Sequence, residues 1–302
     1  MSHISPYRIL FLIVVFFQPT LAVDYKLDVR PLHLKPYAKF NLAEINESSG
    51  LVKSRNFPGV FWTHNDSGDI PRVFAFSADG NSIIPNNIEE AYSGIHVMGA
   101  THIDWEDIAA DNKGNLYIGD FGNNDSDRRD LAVYVIKEPD PFKVCKTNVI
   151  RKISFFFSEQ TEFPAEKNIY DIEAMFFTTG RLFMLSKCRS GNDNTDLYSL
   201  DLNDYSSEVA LKKIETFDIQ GKVTAADATP DGQKIAVLTK NSVWIFERKN
   251  ESESFFTAPC RWSPIIAGQC EGICFDGDDL LISNEEGQLF QLPISELKKI
   301  KD

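Results

Sequence analysis

The sequence predicts an all-β fold: a five-bladed β-propeller whose last blade is closed by an N-terminal strand. The first observation is a phrase that recurs five times, in which a polar residue opens an alternating run, a Gly or Asn turn follows, and a nearly continuous apolar strand completes it. The copies are ESSGLVKSRNFPGVFWTHNDSG from Glu47, DWEDIAADNKGNLYIGDFGNN from Asp104, YDIEAMFFTTGRLFMLSK from Tyr170, VTAADATPDGQKIAVLTK from Val223 and CEGICFDGDDLLISNEEG from Cys270. The second is spacing. Aligned on the apolar residues two and four places on, the copies put Ser49, Glu106, Glu173, Thr224 and Glu271 at one position, 57, 67, 51 and 47 residues apart. Only Lys53 in the first copy breaks that pattern. Repeats of roughly 40–50 residues built from short strands are the mark of propeller blades. The third is closure. The 31 residues after Glu271 and the 25 between Asp24 and Ser49 together make one blade, so a strand near Lys39 to Leu42 is expected to complete the last sheet and remove its open edge.

The chain begins with Arg8 as the single charge before Asp24, an apolar run from Ile9 to Phe17, and then Gln18-Pro19-Thr20-Leu21-Ala22. A short apolar core ending in small residues predicts a secretory signal peptide over residues 1–22, cut after Ala22, and one propeller domain over 23–302. An uncleaved anchor is the alternative, although the run is shorter than the roughly 20 residues of a membrane span. Nothing later in the sequence is apolar enough to cross a bilayer. The expected location is secreted or periplasmic.

Blade one runs from Ser49 to about Tyr92, with Phe61-Trp62-Thr63-His64 as a strand, Asn65-Asp66-Ser67-Gly68 as a turn and Arg72 to Phe76 alternating. Residues 86 to 101 read as an irregular loop crossing one face. Blade two has a hairpin turn at Asp111 to Asn115, a strand at Leu116 to Gly119, a Gly/Asn-rich turn from Asp120, and outer strands at Leu131 to Ile136 and Val149 to Phe157. A second insertion, Ser158 to Asn168, precedes blade three. Blades three and four are regular, with strands at Arg181 to Ser186, Leu197 to Leu202, Leu211 to Phe217, Lys234 to Thr239 and Ser242 to Glu247. Blade five ends with Leu289 to Pro293 and a short Lys-rich tail.

The formal net charge of −13, or −14 without Arg8, argues against a nucleic acid duplex as partner, because such proteins gather Lys and Arg on one face. Acidic surface favours a cation instead. The five cysteines are Cys145, Cys188, Cys260, Cys270 and Cys274. An oxidising compartment predicts one or two disulfides, with Cys260 and Cys270 as the best pair, and the spacings match no zinc site.

In a propeller the first strand of each blade lines the central channel, so equivalent residues converge on the axis. Carboxylates meeting there repel unless a cation or protons neutralise them. Ca²⁺ is the expected cofactor, with Glu106, Glu173 and Glu271 donating carboxylate oxygens and Ser49 and Thr224 hydroxyl or carbonyl oxygens. The alternative is that these residues cap strand ends and bind channel water. Residues just beyond the second strands should crowd one mouth: Asn65 to Gly68, Asp120 to Asn124, Lys187, Lys240 and Asn284 to Glu286. Asp66 and Asp120 are candidate general bases or metal ligands, and Lys187, Arg189 and Lys240 candidates to meet an anionic group. Ordinary turn chemistry is the competing account of each. His64 lacks a serine or cysteine partner pattern, and core packing is the default for Trp62 and Trp105.

The phrases ESSGL, THNDSG, DWEDIA, YIGDFGNN and DIEAM resemble those of a family of secreted, mostly bacterial five-bladed propellers. The axial series Ser49, Glu106, Glu173, Thr224, Glu271 is also distantly similar to the Ser, Glu, Glu, Ser, Glu ligand set of the calcium-activated nucleotidases, or apyrases, as are CEGICF and LYIGDFG. That resemblance implies a central Ca²⁺ and hydrolysis of nucleoside di- or triphosphates. It carries over at the axial positions alone: the Asp-rich motif preceding the first blade has no counterpart, and Lys187-Cys188-Arg189 stands where apyrases have paired arginines.

The expectation is therefore a monomeric, secreted, calcium-binding propeller that hydrolyses a small polar or phosphorylated molecule at the channel mouth. The alternative is a non-catalytic ligand- or protein-binding propeller with a structural central cation. Lactone hydrolysis, as in six-bladed gluconolactonase-like propellers, fits the blade count less well.

Overall fold

The structure is a computed structural model that describes residues 29–86, 88 and 92–301. The signal-peptide reading of residues 1–22 lies outside the described residues. Regular structure is almost all strand, and no helix among the described residues is long and apolar enough to cross a membrane.

Two short strands come first, β1 (Leu32–His33) and β2 (Ala38–Lys39). A four-stranded antiparallel set follows, made of β3 (Ser48–Lys53), β4 (Val60–Asn65), β5 (Arg72–Ser77) and β6 (Ile95–Met98). The next set is β7 (Trp105–Ala110), β8 (Asn115–Asp120), β9 (Ala132–Lys137) and β10 (Lys146–Phe157). A third comprises β11 (Ile172–Thr178), β12 (Arg181–Ser186), β13 (Asn194–Leu200) and β14 (Val209–Asp218). A fourth comprises β15 (Val223–Ala228), β16 (Lys234–Thr239), β17 (Ser242–Glu247) and β18 (Cys260–Ile266). The last joins β19 (Cys270–Asp276), β20 (Asp279–Asn284) and β21 (Gln288–Pro293), and β2 pairs with β21 through Ala38 opposite Leu289. The N-terminal strand thus covers the edge of the last set, as the closure argument expects.

The first strands β3, β7, β11, β15 and β19 lie side by side, and β19 returns to β3, so the fold is all-β, propeller-like and nearly closed about a central axis. Adjacent sets pack face to face. In β3, Leu51 enters the apolar cluster shared with the last set and Val52 the cluster shared with the second. In β16, Ile235 and Val237 face the third set while Ala236 and Leu238 face the last. Burial on both faces explains why these strands read as unbroken apolar runs rather than alternating ones. Each fully buried aliphatic or aromatic side chain contributes roughly 1.5–3 kcal/mol.

Three strands and one cysteine pair depart from the sequence reading. The span read as loop at 86 to 101 contains β6, which pairs with β5 at Arg72 opposite His96. The Lys-rich tail forms β22 (Lys298–Lys301), antiparallel to β18. β10 is longer than expected and pairs in parallel with β6 at one end and β14 at the other, tying the outer edges of three sets together. Such pairings join residues too far apart in the chain for a local pattern to show. The expected Cys260–Cys270 disulfide is absent. None of the five cysteines is in a disulfide; Cys260 packs in the cluster between the third and fourth sets and Cys270 in that between the fourth and last.

Candidate functional site

Every innermost pair shifts register at the same height: between Ser49 and Leu51, Trp105 and Ile108, Ile172 and Ala174, Val223 and Ala225, and Cys270 and Gly272. These are β-bulges, which re-aim side chains beside them. The residues passed over are Gly50, Glu106 with Asp107, Glu173, Thr224 and Glu271, so the bulges coincide with the aligned position, within one residue in the first set. Nothing in the period-two pattern reveals the bulge itself.

Ser49 and Thr224 use their hydroxyls in the same way. Ser49 Oγ donates to Glu106 O at 2.6 Å, and Thr224 Oγ1 donates to Cys270 O at 2.9 Å, each linking one first strand to the next. Asp107, fully buried, does so more extensively, accepting the backbone N–H groups of Ile108 at 2.8 Å, Met175 at 2.7 Å and Ala226 at 3.1 Å. The Asp107 carboxyl sits well above its ordinary range because of burial, and the three N–H donors oppose that rise. Gly50, at φ +67°, is needed here: a Cβ would lie 2.9 Å from Asp107 Cα and Oδ1.

Glu106 has a different environment. Among the described residues, Asp66, Asp104 and Glu106 each place a carboxylate oxygen within 4.8 Å of the other two. Burial first, then the neighbouring Glu173 and Asp66 charges, hold the Glu106 carboxyl well above its ordinary value, and burial pushes Asp104 up to about 6. Gly122 makes the approach feasible. A Cβ there would fall 2.1 Å from Glu106 Oε1 and 2.3 Å from Asp104 Oδ2. Gly122 lies in the turn Asp120 to Asn124 expected at the mouth, whereas Asp104, which opens the second repeat, is not among the residues singled out from sequence, because only the bulge and the turn after β8 bring it to this point.

Glu173 is clamped by cations. Lys187 Nζ lies 2.8 Å from its Oε2, and Arg189 bonds both to its Oε1 and to Asp171. Burial, then Asp171, push Glu173 up to about 8, and Lys187 and Arg189 pull it back. Glu271 is also raised, to about 7, by burial, with Lys187 and Lys240 opposing. Lys240 is exposed at the rim.

Of the proposed proton acceptors, Asp66 is half-buried beside the carboxylate cluster, whereas Asp120 is 1% exposed. Asp120 Oδ1 accepts the Asp104 backbone N–H at 3.1 Å and Arg128 Nη2 at 3.0 Å, so it positions Asp104. His64 is buried against Trp105, its Nδ1 beside Asn65 O at 2.8 Å, and burial lowers its pKa to about 4. Trp62 and Trp105 are fully buried, their indole N–H groups donating to Glu138 and to Thr101 O.

The arrangement has an acidic half, from the first two sets, whose oxygens suit a hard cation, and a half from the third where lysine and arginine already neutralise a glutamate. Oxygen donors alone suit a hard cation rather than a softer metal.

No protein-family model and no curated protein matches the chain. The solved structures similar to it in part include the following two. Virginiamycin B lyase from Staphylococcus aureus shows 14% identity and a TM-score of 0.40, with 82% of this chain and 66% of that one covered. The computationally designed Ika8 protein shows 9% identity and a TM-score of 0.34, with 82% and 71% covered. The chain therefore spans just under two thirds of the lyase's length.

Proposed function

We propose that the strand sets are the five blades of a secreted propeller whose mouth binds Ca²⁺ at Asp66, Asp104 and Glu106 and hydrolyses a phosphate-containing small molecule there. The observation that carries it is the carboxylate trio held within 4.8 Å around a glycine that leaves room for it. A hard divalent cation at these oxygens supplies positive charge to polarise a phosphoryl oxygen and to acidify bound water. Asp66, half-buried, accepts the proton, and Lys240 at the rim meets the ligand's remaining charge. Glu271 and Glu173 complete the axial ring, with Ser49 and Thr224 holding its backbone in place.

A second reading, a binding propeller without turnover, is favoured by a specific observation. Lys187 and Arg189, expected to meet the substrate, are ion-paired with Glu173 and Asp171.

Calorimetric titration of Ca²⁺ tests the shared premise. Saturable binding is expected in the wild type, weakened at least tenfold in Glu106→Gln and in Gly122→Ala. Binding unchanged in Gly122→Ala would remove the trio as the site. Phosphate release from nucleoside di- and triphosphates, present with Ca²⁺ and abolished by chelator, separates the hydrolase from the binder.

A further inference from the structure

The end of the channel opposite the carboxylate trio has its own chemistry, independent of the function proposed above. First strands of six or seven residues separate the two mouths by about 20 Å. Two side chains cross this far exit. Arg55, after β3, donates from Nη2 to Ala228 O at 2.9 Å, and Asn112, after β7, donates from Nδ2 to Pro230 O at 2.9 Å. Turns from four strand sets thereby converge and enclose a cavity of about 290 Å³.

Arg55 is the decisive residue. Its side chain is 13% exposed, it lines the cavity, and its Nε is buried with no hydrogen-bond partner among the described residues. A guanidinium carries five N–H donors in a fixed fork. The neighbouring carboxylate, Asp227, approaches no nearer than 3.9 Å, and its Oδ2 accepts the Phe275 N–H instead. The acidic lining residue Asp231 is already held by Thr229 Oγ1 at 2.6 Å and the Gln233 N–H at 3.0 Å, and Glu251 is exposed. Exposed Lys113 adds positive charge at the rim, and Ala110, Phe177 and Pro230 supply an apolar wall.

We propose that this far mouth is a second ligand site, for a small organic carboxylate. A planar carboxylate matches the free edge of one guanidinium, and the apolar wall covers the carbon skeleton. A cavity near the lower end of the usual range for small-molecule pockets, roughly 300–1,000 Å³, limits the ligand to a compact acid. Inorganic phosphate fits less well, since it has no apolar part to match the wall and finds one buried cation.

Calorimetric titration of benzoate and, separately, of inorganic phosphate tests this in the wild type, Arg55→Met, Lys113→Glu and Glu106→Gln. Saturable benzoate binding is expected in the wild type, unchanged in Glu106→Gln, at least tenfold weaker in Arg55→Met and several-fold weaker in Lys113→Glu. Lys113 is exposed, so its variant remains decisive if loss of the Arg55–Ala228 contact prevents folding. The proposal is overturned by no saturable benzoate binding, by phosphate binding alone, or by benzoate affinity unaltered in Lys113→Glu and in any folded Arg55→Met.

Discussion

The second and third strand sets bring a glutamate to the same bulge at the same height, and the two side chains live in opposite surroundings. Glu106 faces Asp66 and Asp104 across Gly122 and, among the described residues, makes no ion pair, whereas Glu173 is held by Lys187 and Arg189. The first strands are interchangeable in this respect; the ends of the second strands are not. After β8 the chain turns through Asp120-Phe121-Gly122, and after β12 it continues as Lys187-Cys188-Arg189. A repeat thus fixes where a carboxylate stands, and its neighbour in the same set fixes whether that carboxylate is free to coordinate.

The sharpest test applies one substitution at both positions. Glu173→Leu leaves the Lys187 ammonium buried beside no direct partner and is expected to cost about 3–5 kcal/mol in urea unfolding. Glu106→Leu removes a buried carboxyl crowded by its own kind, and metal-free stability is expected to hold or rise. Equal losses at the two sites would break the comparison.

A smaller effect should appear with pH. Burial raises Asp104 from 3.8 to about 6, Glu271 from 4.5 to about 7, and Glu106 well above 4.5. A carboxyl raised on folding binds its proton more tightly in the native state, so its stabilising contribution is complete below the unfolded pKa and is lost as pH rises through the folded one. Metal-free protein should therefore lose thermal stability from these groups between about pH 4 and pH 7, in a slope reduced in Glu106→Gln and flattened by saturating Ca²⁺. A slope indifferent to both would detach these carboxyls from any cation site.

The smallest effect belongs to the hydroxyl links. Ser49→Ala and Thr224→Val each delete one buried hydrogen bond between neighbouring first strands, at about 1 kcal/mol apiece, without altering the charge of either half. A tenfold fall in Ca²⁺ affinity in Ser49→Ala would instead make that hydroxyl a ligand.

Much of the architecture was legible because it rests on local signals. The apolar phrase repeats, its turns carry Gly and Asn, and residues before Ser49 are needed to finish the last sheet. The strand at Ile95–Met98 was hidden behind a long connection, and the parallel pairings of β10 join segments some 50 residues apart. At the site, alignment put Glu106 and Glu173 at one position, where the structure gives both a bulge, but it did not show that Asp120 is bonded to Arg128 and the Asp104 N–H. Its partner Arg128 lies eight residues on, in a turn whose shape no periodicity encodes.

The sequence by itself determined that strands recur at blade-like intervals and that polar residues occupy one equivalent place in each, since repetition and apolar patterning are properties of the chain. Only the tertiary structure decided which of those residues keep their charge to themselves. That outcome depends on contacts closer than 5 Å between different sets: Asp66 to Glu106 at the near mouth, Asp107 to Met175 and Ala226 within the channel, and Arg55 to Ala228 at the far exit. Electrostatic and hydrogen-bonding energies fall steeply over such distances, so the function of each polar residue follows from its neighbours in space rather than from its place in the repeat.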